Sequence, residues 1–257
     1  MRSAKNNRRS RITATIFRLC CCLWAISNAS VTMAGSPAPA DNPNGFVASY
    51  SMRYGAFKGE VYMELTSQDA AGEYLFRIES RARGLFKLIQ PGTATEESRF
   101  LVENGAITPL EYHLDGGRKS THDNSDVVFD WQELIAYSTY EDESTTLQLI
   151  PDVRDRLSTD IFLMMQLAAG ITPAEFKIAE KNAVRNYEFN MLGEEKIATP
   201  AGEFQTVKYL RHRVGSSRST RIWYAIDKNY LPVRIEQLKR GKISIVSVAE
   251  SINTGEL

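Results

Sequence analysis

The chain has 257 residues with 31 basic and 31 acidic side chains, yet six of the basic ones and none of the acids precede Gly35, so the remainder carries a formal charge of −6. A balance of that sign argues against nucleic acid as the partner, because such binding rests on neutralising phosphates with Lys and Arg, and it suits a soluble periplasmic protein. All three cysteines, Cys20, Cys21 and Cys22, lie in the same early segment, so the rest of the chain has no disulfide or thiol chemistry.

Residues 1–34 read as a signal peptide. Arg2, Lys5, Arg8, Arg9 and Arg11 form a basic start, a short apolar run spans 19–26, and small residues lead to Ala34. The run is shorter than the about 20 apolar residues a membrane span needs, so no transmembrane span is expected after cleavage. Cleavage is expected after Ala34, with Ala29 as the second choice. Lipidation is disfavoured, because the residues before Cys20 are Phe17-Arg18-Leu19 rather than small. Residues 35–45, rich in Pro, Ala and Asn without apolar period, read as a linker, 46–252 as one β-rich domain, and 253–257 as a tail.

Period-two alternation then recurs. Val61, Met63 and Leu65 alternate with polar neighbours, as do Tyr74, Phe76 and Ile78, and the polar stretch 68–72 between them predicts a hairpin. Further strands are expected near 46–54, 94–103, 107–114, 125–131, 134–141 and 145–150, broken at Asn104-Gly105, Gly116-Gly117 and Pro151. The segment 84–89, just before Pro91-Gly92, is apolar out of proportion to its loop setting.

One long helix is expected over 156–169. Ser158 or Thr159 would cap its start, Gly170 would close it, and Leu157, Ile161, Met164, Met165 and Ala168 line one face, widened by Leu163 and Leu167 so that the helix is buried. Strands resume around Tyr187–Met191, Val207–Tyr209, Trp223-Tyr224, Leu231–Ile235 and 243–252. Trp223 and Tyr224 must point to opposite faces of their strand, and Pro232 marks an edge strand or a strand start. The predicted fold class is therefore mainly β: an antiparallel meander forming a curved sheet, half-barrel or open barrel, with one long buried helix.

Three pieces together resemble a known family: Asp155-Arg156-Leu157-Ser158 leading into the helix, the Thr199-Pro200-Ala201-Gly202-Glu203-Phe204 turn, and the hairpin from Trp223-Tyr224 to Pro232-Val233-Arg234-Ile235-Glu236. They are similar to a bacterial envelope family known as domain of unknown function 3108 (DUF3108), over about residues 46–252. The resemblance implies an exported, mostly antiparallel β protein, similar in broad shape to half-barrels that carry lipids or lipoproteins across the periplasm. It implies no catalytic residue, and shape alone does not set function. The turn and hairpin residues also have plain structural roles.

His113, Asp115, His122, Asp123 and Asp126 are the densest polar cluster, but their spacing fits no compact metal motif, and a solvated hairpin loop is the expected reading. His212, between Arg211 and Arg213, is expected to be exposed rather than catalytic. Adjacent acids such as Glu96-Glu97, Asp142-Glu143 and Glu194-Glu195 point to opposite strand faces and are no glycosidase pair. No Gly-x-Ser-x-Gly elbow or phosphate loop occurs. No catalytic residue, metal or cofactor is expected.

Arg211, Arg213, Arg218, Arg221, Lys239, Arg240 and Lys242 gather near strand ends. They read either as a patch for an anionic head group or acidic polymer or as a solvated face that discourages edge pairing. The candidate ligand-binding side chains are Leu85, Phe86, Leu88 and Ile89 of the apolar loop with Leu163, Met164 and Met165 of the helix. Flexible Met side chains adapt to an apolar guest, although a filled core would use the same residues. The expectation is thus a non-enzymatic periplasmic binding or carrier module for a lipid or amphipathic ligand; the alternative is an assembly or scaffold protein that binds an envelope protein through a sheet edge.

Overall fold

A computed structural model describes residues 42–68, 72–88, 91–118 and 124–255, without the Phe86 side chain. The expected signal peptide, most of the linker, Ile89, His122 and Asp123 lie outside the described residues.

The first half of the chain is a meander of eight strands: β1 (Phe46–Tyr54), β2 (Phe57–Ser67), β3 (Glu73–Ala82), β4 (Thr93–Glu103), β5 (Ala106–Asp115), β6 (Ser125–Asp130), β7 (Ile135–Tyr140) and β8 (Glu143–Gln148). A two-residue strand β9 (Val153–Arg154) leads into the helix α1 (Arg156–Ala168). The second half follows as β10 (Glu175–Glu180), β11 (Ala183–Thr199), β12 (Gly202–Arg213), β13 (Arg218–Ala225), β14 (Leu231–Lys239) and β15 (Lys242–Thr254).

The fifteen strands of the described residues form one open sheet, in the order β8-β7-β6-β5-β4-β3-β2-β1-β15-β14-β13-β12-β11-β10-β9. Two meanders are therefore joined along a seam where the first strand pairs with the last, Phe46 opposite Thr254 and Tyr54 opposite Ile245. Every pairing is antiparallel except that of β9 with β10, where α1 supplies the crossover a parallel pair requires. The sheet curls until β9 lies against β5 and β10 against β6. The β10–β11 turn then meets the β7–β8 hairpin: Ser138 donates to Asn182 Oδ1 at 2.8 Å, and Asn182 donates to the Glu143 carbonyl at 2.9 Å. The sheet stays open, but side chains bridge its two ends.

Local chemistry sets the frame. Asn104 and Gly105 both take positive φ, at 51° and 75°, in the two-residue turn between paired Glu103 and Ala106, as the mirror-image hairpin turn demands. Alternation resolves as expected in β2, where Val61, Met63 and Leu65 are buried and Tyr62 faces out. Pro232 is the second residue of a central strand, so it marks a strand start and not an edge. The pairing slips by one residue there, because Trp223 faces Arg234 while Tyr224 faces Pro232.

Helix α1 fills the concave side. Leu157, Ile161 and Leu163 have no exposure, and Leu167, Met164 and Met165 are buried. Each such side chain contributes about 1.5–3 kcal/mol on burial. The cap differs from expectation: Asp155, not Ser158 or Thr159, is the N-cap, accepting from Leu157 N at 2.8 Å and Ser158 N at 2.9 Å. A cap lies outside the helix it starts, so with the first helical residue at Arg156 the capping side chain belongs to Asp155, while Ser158 and Thr159 stand inside the first turn. The other end closes on Gly170, at φ 73°, with Ile171 N bonding to Gln166 O and Gly170 N to Leu167 O, the double bond of a Schellman motif. Strands β9 and β10 were not anticipated.

Candidate functional site

The curled sheet leaves a cleft at the end where β1 begins, β15 ends and β14 starts. Ile161, Met164, Met165 and Ala168 of α1 form one wall, and Phe46 and Leu231 form the opposite one. Asn42, Pro43 and Asn44 before β1, Lys228 and Asn229 in the turn before β14, and Thr254 make the rim. The cleft holds about 510 Å³ of empty space including its open mouth, and water-sized groups have free range over about 60 Å³ of it. The enclosed part, about 60 Å³, is well below the about 300–1,000 Å³ typical of ligand pockets, so the space suits one short apolar group rather than a whole lipid. Lys228 is the only charged side chain lining it, half-buried and without an acidic partner among the described residues.

Of the sequence-derived binding residues, Met164 and Met165 meet in this cleft, while Leu163 is fully buried in the core and does not line it. Leu85 and Leu88 sit elsewhere. They lie on a 3-10 turn, Gly84–Leu88, that packs against β2 and β3, and both are more than four-fifths exposed. That turn joins the end of β3 to the start of β4, where Ala82 pairs with Gly59 near the start of β2; Phe46 at the cleft pairs with Leu65 near the end of β2. The helix and the loop therefore stand at opposite ends of strands about 30 Å long, and do not converge. Ile89 lies outside the described residues.

The cleft residues missed by sequence reasoning are Phe46, Leu231, Lys228, Asn229 and the stretch 42–44, which read as linker. They come from segments far apart in sequence, and only the strand order brings them together.

Polar groups concentrate at the other end of α1. Asp155 is fully buried and accepts four hydrogen bonds: two from the helix backbone, one from Ser158 Oγ at 2.6 Å and one from Ser98 Oγ at 2.8 Å. Burial pushes its carboxyl up to about 6 against the pull of these donors. Next to it, Arg156 forms a two-pronged ion pair with buried Glu96, which also accepts from Tyr112 OH at 2.7 Å. Burial, then the Glu96 charge, pushes the Tyr112 phenol well above its usual range. One turn on, Asp160 pairs with Arg211 of β12. Arg154 is buried with its guanidinium 3.7 Å from the centre of the Phe162 ring, and burial lowers its pKa. These groups fasten α1 to the sheet on both sides.

The remaining polar groups lie apart from the cleft. His113 and Asp126, half-exposed, face each other across β5 and β6 at 2.5 Å, and Asp115 accepts from Gly117 N at 2.8 Å within the turn. Among the described residues no group of His, Cys, Asp and Glu is arranged to hold a metal ion. His212 is half-buried against the Ser216 carbonyl at 2.9 Å. Arg211, grouped with the surface cations in the sequence reading, is instead turned inward to Asp160, and Arg213 reaches Glu180. Tyr224 faces the core, beside Phe189 and Tyr209. Trp223 lies on the outer face, its Nε1 donating to Glu195 at 2.6 Å and its ring flanked by Lys208, Arg221 and Arg234.

The DUF3108 family model, described as a protein of unknown function, matches residues 49–245. No curated protein matches the chain. Among solved structures, the chain is similar to a β-barrel-like protein of domain of unknown function DUF1849 from Brucella abortus, with 8% identity and a TM-score of 0.55 over 84% of this chain and 100% of that one. At that identity the likeness concerns the fold alone. More distant are a putative exported protein with a YmcC-like fold from Bacteroides fragilis, at 13% identity, TM-score 0.38, 83% of this chain and 97% of that one, and the MucA/MucB complex of Pseudomonas aeruginosa, at 13% identity and TM-score 0.38. The latter match covers 85% of this chain and 54% of that one. No helix among the described residues is long and apolar enough to cross a membrane.

Proposed function

The chain belongs to the DUF3108 family, and from that premise we propose that it is a non-enzymatic binding or carrier module of the bacterial cell envelope, taking the apolar end of an amphipathic ligand into the cleft beneath Met164 and Met165. The observation that carries this reading is the cleft itself, apolar inside, adaptable through two Met side chains and rimmed by an unpaired lysine. The interior polar groups hold α1 in place, which supports an interior that binds rather than reacts. The basic start and apolar run of residues 1–34 support an envelope location.

The test is calorimetric titration with decanoic acid as the carboxylate probe, with decanol as a competitor that displaces it. Ala168→Trp projects into the cleft from a half-buried helix position, so it should weaken binding at least tenfold while moving the melting temperature by only a few degrees. Lys228→Glu should weaken the carboxylate probe about fivefold and leave decanol displacement unchanged. Absence of saturable binding, or binding indifferent to Ala168→Trp, refutes the cleft as the site.

A further inference from the structure

The end of the sheet away from the cleft has a different chemistry. Four hairpin connections lie side by side there, in the order β3–β4, β1–β2, β14–β15 and β12–β13, because their strands are consecutive across the seam. Backbone hydrogen bonds tie neighbouring tips together: Arg83 N to Lys58 O at 2.9 Å, and Arg240 N to Ser217 O at 2.7 Å. Eight adjacent strands make this rim about 34 Å wide.

Residues 53–58, 80–88, 213–218 and 239–243 make up the rim and contain ten Lys or Arg and no Asp or Glu. Arg81, Arg83 and Arg213 are neutralised by Glu79, Glu60 and Glu180 from the strands behind. The other seven, Lys239, Arg240 and Lys242 among them, have no acidic partner among the described residues. In contrast, the described connections at the cleft end carry Glu73, Glu103, Asp130, Glu133, Glu203 and Asp227 against Lys228 alone. The β7–β8 hairpin at the same end of the sheet carries Glu141, Asp142 and Glu143, so the seven cations form a local patch on these four adjacent tips.

Apolar side chains stand out from the same rim. Leu85 and Leu88 are 84% and 83% exposed, Tyr54 and Phe57 stack at 6.4 Å in the next tip, and Ile243 and Val214 are about half exposed in the remaining two. Exposed leucines among cations are the composition of a surface that enters the headgroup layer of a membrane, where apolar groups dip in and Lys and Arg meet anionic lipid. A soluble polyanion would draw on the charges and leave the leucines exposed to water, which monomeric surfaces avoid when such groups cluster.

We propose that this four-hairpin rim docks the protein onto an anionic phospholipid bilayer, with Leu85, Leu88 and the Tyr54–Phe57 pair at headgroup depth and the seven unpaired cations over the lipid phosphates. The proposal stands apart from the cleft and does not depend on what fills it.

The experiment is co-sedimentation of the protein with vesicles of 30% phosphatidylglycerol in phosphatidylcholine, against pure phosphatidylcholine, at 0.1 and 0.5 M salt. Binding should require phosphatidylglycerol and weaken at high salt. Each basic side chain near the surface is worth about a fivefold change in partitioning, so Lys239→Ser, Arg240→Ser and Lys242→Ser together should lower it about 100-fold. Leu85→Ser with Leu88→Ser, which removes no charge and no buried contact, should lower it at least tenfold. Salt-sensitive binding unaffected by the leucine pair would mean a purely ionic polymer site and would overturn the proposal, as would equal binding to both vesicle types or none to either. Residues 1–34 are common to every variant, so binding that survives both sets of substitutions belongs elsewhere and also overturns it.

Discussion

Asp155 shows how a single side chain can organise one end of a helix while opposing its own ionisation. Four donors surround the carboxylate, yet complete burial dominates and raises the group from 3.8 to about 6. The folded protein therefore holds this proton more tightly than the unfolded chain does. The resulting contribution is fully present below pH 4, falls as pH rises towards about 6, and is flat above, with a total on the order of 3 kcal/mol. Urea unfolding at pH 4, 5, 6 and 7 should show that slope. Asp155→Asn, which keeps an acceptor for the helix backbone and does not titrate, should flatten it. Asp155→Ala removes the cap and strands the Ser98 and Ser158 hydroxyls, so it should cost about 2–4 kcal/mol at every pH.

At the level of the element, α1 is held to β4 and β5 by the Arg156–Glu96–Tyr112 cluster and to β12 by Asp160–Arg211. A buried pair adds little net stability, but removing one partner leaves an uncompensated charge. Glu96→Leu should therefore destabilise by about 3–5 kcal/mol, and Glu96→Leu with Arg156→Met should recover most of that loss, as read by chemical denaturation. Equal effects for the single and the double variant would show that the cluster is not coupled. This helix and most strands were legible in the sequence, because each is long and half-buried, so burial writes itself into the order of residues. Strand β9 has two residues and cannot display a period, and β10, no shorter than β6 to β8, surrounds Phe176 and Ile178 with Glu, Lys and Ala, which are weak strand formers. The Met164–Met165 wall of the cleft could be seen as a stripe on a helix. Its facing wall could not, since Phe46 and Leu231 read as ordinary strand starts and Lys228 as a turn residue. The apolar 84–88 turn stood out in the sequence, but apolar character alone did not tell a pocket lining from an exposed tip.

Across the whole molecule, the two meanders share one core rather than standing as separate halves. Phe46 meets Phe76 in the first, Phe189 meets Tyr224 in the second, and α1 packs between them. Unfolding should accordingly be a single event. With Trp24 replaced by Phe throughout, Trp131 reports on the first meander and Trp223 on the second, so fluorescence midpoints of Trp131→Phe and Trp223→Phe variants, each corrected for its own stability by circular dichroism, should coincide with the loss of strand signal. Separate midpoints would reveal two independent units. The pairing of β1 with β15 also imposes an order in time. A polypeptide delivered N-terminus first presents Ala48 and Tyr50, both wholly enclosed in the finished protein, about two hundred residues before the strand that covers their flank arrives. Until then one margin of the nascent sheet offers unpaired amides and carbonyls to any other extended chain, including the tail of a second copy. Strand β15 thus acts as the latch on the structure, and a chain cut short of Lys242 would be left as a template for aggregation rather than as a slightly smaller protein.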